Sequence, residues 1–288
     1  MNAPRAFITI SALTACLVAA CDEDPSFQKL GSMDITTTAP TAEKDFTTSD
    51  GWLVKYDRFL VHVTSVEVAG DDEVLAASAT SQIIDQVAPA PKSLLSATVR
   101  TARPWEDVTL RIGPATVDPE TETAVALPVK EADRDMMQKD GLALYVEGKA
   151  SKAGVSKAFK WGFSTDTLYK DCNANVNGTV VRGLVVPPDG NDTADVVMGG
   201  DVLFRDDLAG GALRGDAIFA ADADNDGVIT LAELRGKPLE ALRATGAPYA
   251  TGDKTEIADL GAFVEALTRQ LVVRFRSNGT CAAAPAAP

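Results

Sequence analysis

Residues 52–64 read W-L-V-K-Y-D-R-F-L-V-H-V-T, and their pattern indicates the fold class. Apolar side chains fall on every second position, first at 52, 54 and 56 and then, after a shift of one place, at 59, 61 and 63. Alternation with a period of two is typical of a β-strand that buries one face. We therefore predict that a strand pair, or one bent strand, begins the fold.

Similar runs continue as far as residue 204. Candidate strands lie at residues 73–77, 82–87, 94–100, 105–112, 122–127, 142–149, 155–165, 179–186 and 195–197. About eight to ten short strands separated by turn signals predict an antiparallel β-sandwich of immunoglobulin or transthyretin type over residues 51–204. One helix, at residues 129–139 and ended by Gly141, interrupts the series.

A second pattern lies nearer the C-terminus, where residues 222–233 read D-A-D-N-D-G-V-I-T-L-A-E. Aspartates occupy three alternate positions, Gly227 supplies a residue without a Cβ where a sharp turn is needed, and Glu233 closes the run. Four negative charges within twelve residues repel one another unless a cation lies among them. The pattern therefore indicates a binding loop for a hard divalent cation.

This run resembles the calcium-binding loop of the EF-hand family, over the loop and about one helical turn on each side. The resemblance implies one bound Ca²⁺ in a small helical EF-hand-type segment, residues 205–281, so that the whole chain has an α+β fold. Its ligands would be the carboxylates of Asp222, Asp224 and Asp226, the backbone carbonyl of Val228, an oxygen of Thr230 and both carboxylate oxygens of Glu233.

An alternative without metal stays open for part of the run. Gly227 can end a simple turn, and Thr230 with Glu233 forms a T-x-x-E capping box for the next helix. The turn and the capping box do not explain the three aspartates. The alternatives that do account for them are a solvated acidic turn and a decayed calcium site. The flanking helices are short, at about residues 214–221 and 231–235, which favours structural calcium over a cytosolic switch.

Members of the EF-hand family usually carry two loops, and residues 250–261 align as a second one. Ile257 takes the apolar eighth position, and Asp259 is placed to cap a helix that runs to about residue 275. The ligand positions hold no carboxylates, so this segment cannot bind calcium. We interpret it as a degenerate mate that packs against the first loop.

Residues 1–20 have the layout of a secretory signal peptide, with Arg5 before an apolar run and small residues before Cys21. The sequence V-A-A-C at 18–21 resembles the bacterial lipobox, which implies that Cys21 is lipidated and becomes the new N-terminus. The protein would then be exported and anchored by lipid to a bacterial membrane, at the periplasmic face or the cell surface. An ordinary cleavage site and a short membrane anchor stay open, although the apolar run is short for a spanning helix.

The chain has four cysteines, of which Cys16 leaves with the signal peptide and Cys21 is the predicted lipid site. An isolated pair, Cys172 and Cys281, then remains in an exported protein, which predicts a disulfide. A free or catalytic thiol is the alternative, and it needs a histidine nearby.

The remaining segments are interpreted by composition. Residues 21–50 are rich in Thr, Ser, Asp and Pro and suit a flexible lipidated stalk, and residues 282–288 suit a disordered tail. The formal net charge of −14 disfavours nucleic acid and anionic lipid as partners and favours cations.

No catalytic constellation is evident in the sequence. His62 is the single histidine, and its place in an alternating run indicates a half-exposed strand residue rather than a base or ligand. Trp161 and Phe163 share one strand face, which favours packing over a sugar-stacking platform. We predict a non-enzymatic binding or structural lipoprotein whose protein or glycan partner is unknown. The rival hypothesis is an exported hydrolase or carbohydrate-binding protein in which calcium is a structural brace.

Overall fold

The computed structural model describes most of the chain. It covers residues 30–71, 73–78, 80–89, 91–99, 104–116, 124–125, 129–270 and 273–286. In this part of the chain β-structure predominates over helix, which fits the expected β-rich α+β class. The predicted signal peptide and Cys21 lie outside the described residues.

The strands are short, apart from one long central strand. They are β1 (Gly31–Thr38), β2 (Phe46–Thr47), β3 (Leu53–Gly70), β4 (Glu73–Ala77), β5 (Gln82–Asp85), β6 (Lys92–Val99), β7 (Pro104–Trp105), β8 (Asp107–Ile112), β9 (Ala124–Val125), β10 (Leu144–Lys152), β11 (Val155–Phe163), β12 (Thr167–Val176), β13 (Thr179–Arg182), β14 (Leu184–Val185), β15 (Asn191–Met198), β16 (Val228–Thr230), β17 (Val273–Phe275) and β18 (Thr280–Pro285).

The helices are mostly single turns. They are α1 (Pro40–Glu43), α2 (Glu131–Asp140), α3 (Asp216–Phe219), α4 (Leu231–Arg235), α5 (Leu239–Ala244) and α6 (Leu260–Gln270), with a 3₁₀ turn at Gly200–Phe204. The helix predicted at 129–139 is α2, and Gly141 ends it in the left-handed conformation with φ of 60°.

The sequence left open a strand pair or one bent strand at the start of the fold, and the structure shows one bent strand, β3. Its neighbour β10 pairs Glu147 with Arg58 and then Gly148 with Tyr56, so Asp57 is an extra residue and the pairing register shifts there. This bulge explains why the apolar alternation moves by one place between Tyr56 and Phe59. A Cβ at Gly148 would collide with the Lys55 carbonyl oxygen, which is why a glycine faces the bend.

The largest sheet forms around β3. Its strand order is β13-β12-β8-β3-β10-β11-β16, with β18 added to β12 and with β2, β4 and β5 added to β3. A second sheet has the order β17-β15-β1-β6, and β7 pairs with β14. Strand β12 lies within a range for which no strand was predicted, because its polar residues, such as Lys170 and Asp171, interrupt the alternation.

Two segments that were expected to be unstructured are strands, and those predictions were wrong. Gly31–Thr38 lies in the presumed stalk, yet it forms β1 between β6 and β15, with Met33 and Ile35 fully buried. Thr280–Pro285 reaches into the presumed tail, yet it pairs with β12. Both segments consist largely of small and polar residues, and their order comes from strands distant in sequence.

The expectation of purely antiparallel pairing was also wrong. Three pairs in the described residues are parallel, namely β1 with β15, β5 with β9, and β11 with β16. The period-two pattern shows which face of a strand is buried, but it carries no information about the direction of the neighbouring strand. Direction is set by connections between distant parts of the chain.

One hydrophobic core joins the sheets to the C-terminal helical region. The Phe204 ring lies 5.7 Å from the rings of both Phe159 and Trp161 and 6.0 Å from the ring of Phe219. Phe263 of α6 belongs to the same cluster and is fully buried. Residues 222–233 are therefore attached to a packed framework rather than to a separate small domain.

His62 is buried, with 3% of its surface exposed, so the half-exposed position predicted for it was wrong. Its Nδ1–H donates to the Gly113 carbonyl at 2.7 Å, and burial lowers its pKa. The opposite face of β3 is covered by a second cluster that includes Leu60 and Met137 of α2. Helix α2 covers this face around Leu60, whereas Lys55 and Asp57 of the same strand are exposed.

No helix in the described ranges has the length and apolar character needed to cross a membrane.

Candidate metal centre

Residues 222–233 form a loop between two single-turn helices. Helix α3 ends at Phe219, the loop turns through Asn225 and Gly227 at φ of 62° and 82°, and α4 begins at Leu231. No atom lies within 4 Å of the Cβ position at Gly227, so backbone conformation rather than crowding favours glycine there. The outgoing helix α4 matches the predicted range of 231–235, and the incoming helix α3 is shorter than the predicted range of 214–221.

Three of the predicted ligands converge. Carboxylate oxygens of Asp222, Asp224 and Asp226 lie within 4.8 Å of one another. They come from alternate residues of a curled chain, as the sequence pattern requires. The loop therefore gathers three negative charges at one point before Glu233 is considered.

Asp222 is the most enclosed of these groups, since only 3% of its side chain is exposed. Its Oδ2 accepts the Gly227 N–H at 3.1 Å and also contacts the Lys157 ammonium. That contact holds the pKa of the Asp222 carboxyl below its ordinary value. Its Oδ1 is buried and has no hydrogen-bond partner among the described residues.

Asp224 and Asp226 are exposed and shape the turn. Oδ1 of Asp224 accepts the Asp226 N–H at 3.1 Å, and Oδ1 of Asp226 accepts the Val228 N–H at 2.7 Å. Each bond spans two residues, as in the turns that aspartate side chains form with their own backbone. Each bond fixes its carboxylate close to the backbone of the turn.

Glu233 lies outside the three-aspartate cluster and acts as a helix cap. Its Oε2 accepts the N–H and the hydroxyl of Thr230 at 2.8 and 2.9 Å, and its Oε1 accepts the Ala223 N–H at 2.9 Å. The Thr230 N–H is the largest cause of the lowered pKa of the Glu233 carboxyl. Chelation of a cation by both oxygens therefore requires Glu233 to loosen some of these bonds.

The donor set fits calcium chemically. It contains only oxygen atoms, which hard cations such as Ca²⁺ prefer, and it has neither the thiolates nor the imidazoles of a zinc site. A buried carboxylate oxygen without a donor is costly, and a bound cation removes that cost. A cation at the unpartnered Oδ1 of Asp222 would remove this cost.

The loop is held by the large sheet. Val228 and Ile229 pair in parallel with Ala158 and Phe159 of β11, and the Gly227 carbonyl accepts the Ala158 N–H at 2.8 Å. Ile229 is fully buried, and its carbonyl accepts the indole N–H of Trp161 at 3.1 Å. Strand β11 therefore takes the place that a second loop was expected to fill.

Residues 250–261, interpreted as a degenerate mate, make no backbone pairing with the first loop in the described part of the chain. Backbone bridges join Ala250 to Asp207 and Asp259 to Pro238, and neither reaches β16. Asp259 does cap α6, accepting the Ala262 N–H at 2.8 Å. The helix ends at Gln270 instead of about 275, because Val273–Phe275 joins β15 as a strand.

Comparisons of the chain with family models, with curated proteins and with solved structures find no match.

The predicted disulfide is present between Cys172 and Cys281, whose Cα atoms are 4.1 Å apart. It connects β12 to β18 and encloses residues 222–233 within the 109-residue interval.

Trp161 and Phe163 are buried, with 0% and 1% of their surfaces exposed, so they pack in the core and offer no stacking platform.

Sequence reasoning missed Lys157, which contacts the predicted ligand Asp222 across 65 positions of the chain. No local pattern around Lys157 identifies it, since alternating lysines are ordinary on a strand. Only the pairing of β11 with β16 brings it to the loop.

Proposed function

We propose that this protein is a lipid-anchored bacterial lipoprotein that binds one calcium ion in residues 222–233 and has a non-enzymatic, binding or structural role. The ligands are the six residues named from the sequence, with Lys157 as their neighbour. Export and lipidation at Cys21 rest on the lipobox resemblance. The two β-sheets with a shared core support the further proposal that the β-rich part is a sandwich of immunoglobulin or transthyretin type.

The observation that carries the calcium proposal is the carboxylate of Asp222. It is almost completely enclosed, lies within 4.8 Å of two other carboxylates, and has an oxygen without a donor. A solvated acidic turn would direct such groups into water, where each oxygen finds a hydrogen bond. A buried carboxylate with an oxygen that accepts no hydrogen bond favours a cation-binding site.

Calcium acts through linkage in this proposal. An ion that binds only the folded loop stabilises the protein by RT ln(1 + [Ca²⁺]/Kd), which is about 2.7 kcal/mol when free calcium is a hundred times Kd. Extracellular modules often bind at about 10⁻⁴ to 10⁻³ M, so millimolar calcium fills the site substantially and stabilises by less. The ion would tie α3 and α4 to β11, because the loop pairs with that strand.

Removal and return of calcium test this proposal on the mature protein. Chelator should lower the melting temperature, and return of about 2 mM calcium should raise it by about 2–6 °C. Calorimetric titration should show one ion bound per chain. If the stripped protein takes up no calcium and its thermal transition does not change, the calcium proposal is wrong.

The anchor is tested by Cys21→Ser. Without the thiol no lipid can be attached, so the protein should move from the membrane fraction to the soluble fraction of a bacterial expression host. Cys16→Ser is the matched control, because it changes the same residue type within the predicted signal peptide and should leave membrane fractionation unchanged. Equal membrane association of Cys21→Ser and the parent would contradict lipidation at this residue.

The non-enzymatic role is preferred to the hydrolase or carbohydrate-binding alternative. Burial of Trp161 and Phe163 removes the aromatic pair that the carbohydrate hypothesis relied on. The single histidine is enclosed in the sheet and hydrogen-bonded to a backbone carbonyl, which does not suit a general base.

A further inference from the structure

Lys157 lies beside the candidate metal centre because of strand pairing. It precedes Ala158, which pairs with Val228 of the loop. Its ammonium contacts Oδ2 of Asp222, and 24% of its side chain is exposed, compared with 3% for Asp222. Its charged end is thus directed at the most enclosed ligand, while part of its side chain remains in contact with solvent.

Among the described residues, the Lys157–Asp222 contact is the only ion pair that any of the four acidic residues of the loop makes. It neutralises one of their charges and leaves the loop with a net charge of three negative units. Only 3% of the Asp222 side chain is exposed, so water and salt weaken this pair less than they weaken a fully exposed pair. Lys157 therefore supplies part of the compensation that a bound cation would supply.

We propose that Lys157 is a tethered counter-ion that competes with calcium for Asp222, holds the loop together without metal, and thereby sets a weak calcium affinity. This inference rests on the proposed calcium function and adds the group that regulates it. The ammonium and a divalent cation require the same carboxylate, and like charges a few ångströms apart repel.

Binding of calcium then has a defined consequence for the lysine. The four-carbon side chain is flexible and partly exposed, so the ammonium can withdraw into solvent when the ion arrives. The free energy lost with the Lys157–Asp222 contact is subtracted from the free energy of calcium binding. A monovalent ion brings no more charge than the ammonium does, so a divalent ion is needed to displace it.

Calorimetric titration of the mature protein with calcium tests the inference, together with melting curves in chelator. Lys157→Met keeps the length of the side chain and removes its charge. It should bind calcium at least tenfold more tightly than the parent, yet melt at a lower temperature when stripped. Lys149→Met is the matched control, because Lys149 is on the neighbouring strand β10 and its ammonium lies 3.9 Å from Asp57 rather than at the loop. We expect it to change calcium affinity less than threefold.

The combination of lower stripped stability and higher affinity is diagnostic, since a lysine with a merely structural role would lower both. Lys157→Arg should restore the stripped melting temperature and the weak affinity, because it restores the charge. If Lys157→Met does not fold without calcium, Lys157→Gln, purified in calcium, is used in its place, because it also removes the charge.

The outcomes separate this inference from the function on which it rests. If the parent binds calcium and Lys157→Met binds it with the same affinity, the competition is refuted and the calcium function stands. Binding by Lys157→Met alone supports the competition but refutes the proposed calcium function of the parent protein. If neither protein binds calcium, both proposals fail.

Discussion

Glu233→Gln weakens calcium binding at least tenfold in our expectation. Glutamate offers two charged oxygens to the ion, whereas glutamine offers one neutral oxygen, so the site loses a charge and bidentate coordination. The side-chain carbonyl of glutamine can still accept the Thr230 N–H, because a capping box accommodates Gln as well as Glu. The cap of α4 should therefore persist while the bond from the Ala223 N–H to Oε1 is lost, so the melting temperature of the stripped protein should fall only slightly. Calorimetric titration measures the loss.

Glu240→Gln is the matched control for this prediction. Glu240 is exposed in the first turn of the neighbouring helix α5. The substitution Glu240→Gln therefore removes the same unit of charge without changing the loop. We expect its effect on affinity to stay below threefold. An unchanged affinity in Glu233→Gln would show that the twelfth position of the loop is not a ligand, and the EF-hand assignment would then be discarded.

Loss of the Cys172–Cys281 disulfide should lower the free energy of unfolding by about 4–5 kcal/mol in the chain-entropy model, because the bridge closes a long loop in the unfolded chain. For a protein of this size the melting temperature should fall by roughly 10–20 °C. Melting curves of the oxidised protein, the reduced protein and the Cys172→Ala/Cys281→Ala variant measure the effect. The last strand, β18, should detach before the rest, since the bridge fastens it to β12.

Thr280→Ala provides the control, because it alters an exposed residue next to Cys281 and leaves the bridge intact. Its effect on the unfolding free energy should stay within about 0.5 kcal/mol. Two free thiols in the exported protein, measured by mass spectrometry, would refute the disulfide. An unchanged melting temperature on full reduction would refute its role in stability.

Local chemistry explains which features were predictable. Gly141 ended a helix because a residue without a Cβ adopts the left-handed conformation readily, and Thr230 with Glu233 formed the capping box that their spacing indicated. Cys172 and Cys281 were paired by elimination in an exported chain. Each of these inferences needs only neighbouring residues or a count.

Composition misled where order came from distant strands. The threonine-rich β1 and the alanine-rich β18 resemble flexible segments, and each is ordered by pairing with strands that no local pattern identifies. His62 follows the same rule, because α2 covers a face of β3 that an isolated strand would leave to solvent. Burial of these residues is a property of the assembled sheets.

The sequence alone determined the acidic loop, its sharp turn at Gly227 and the short helices that flank it, because alternate side chains on a curled backbone converge whatever surrounds them. Tertiary structure alone decided that β16 pairs in parallel with β11 and that the Lys157 ammonium reaches Asp222. The physical reason is that hydrogen bonds between strands join residues far apart in the chain, and no short-range preference specifies the partner.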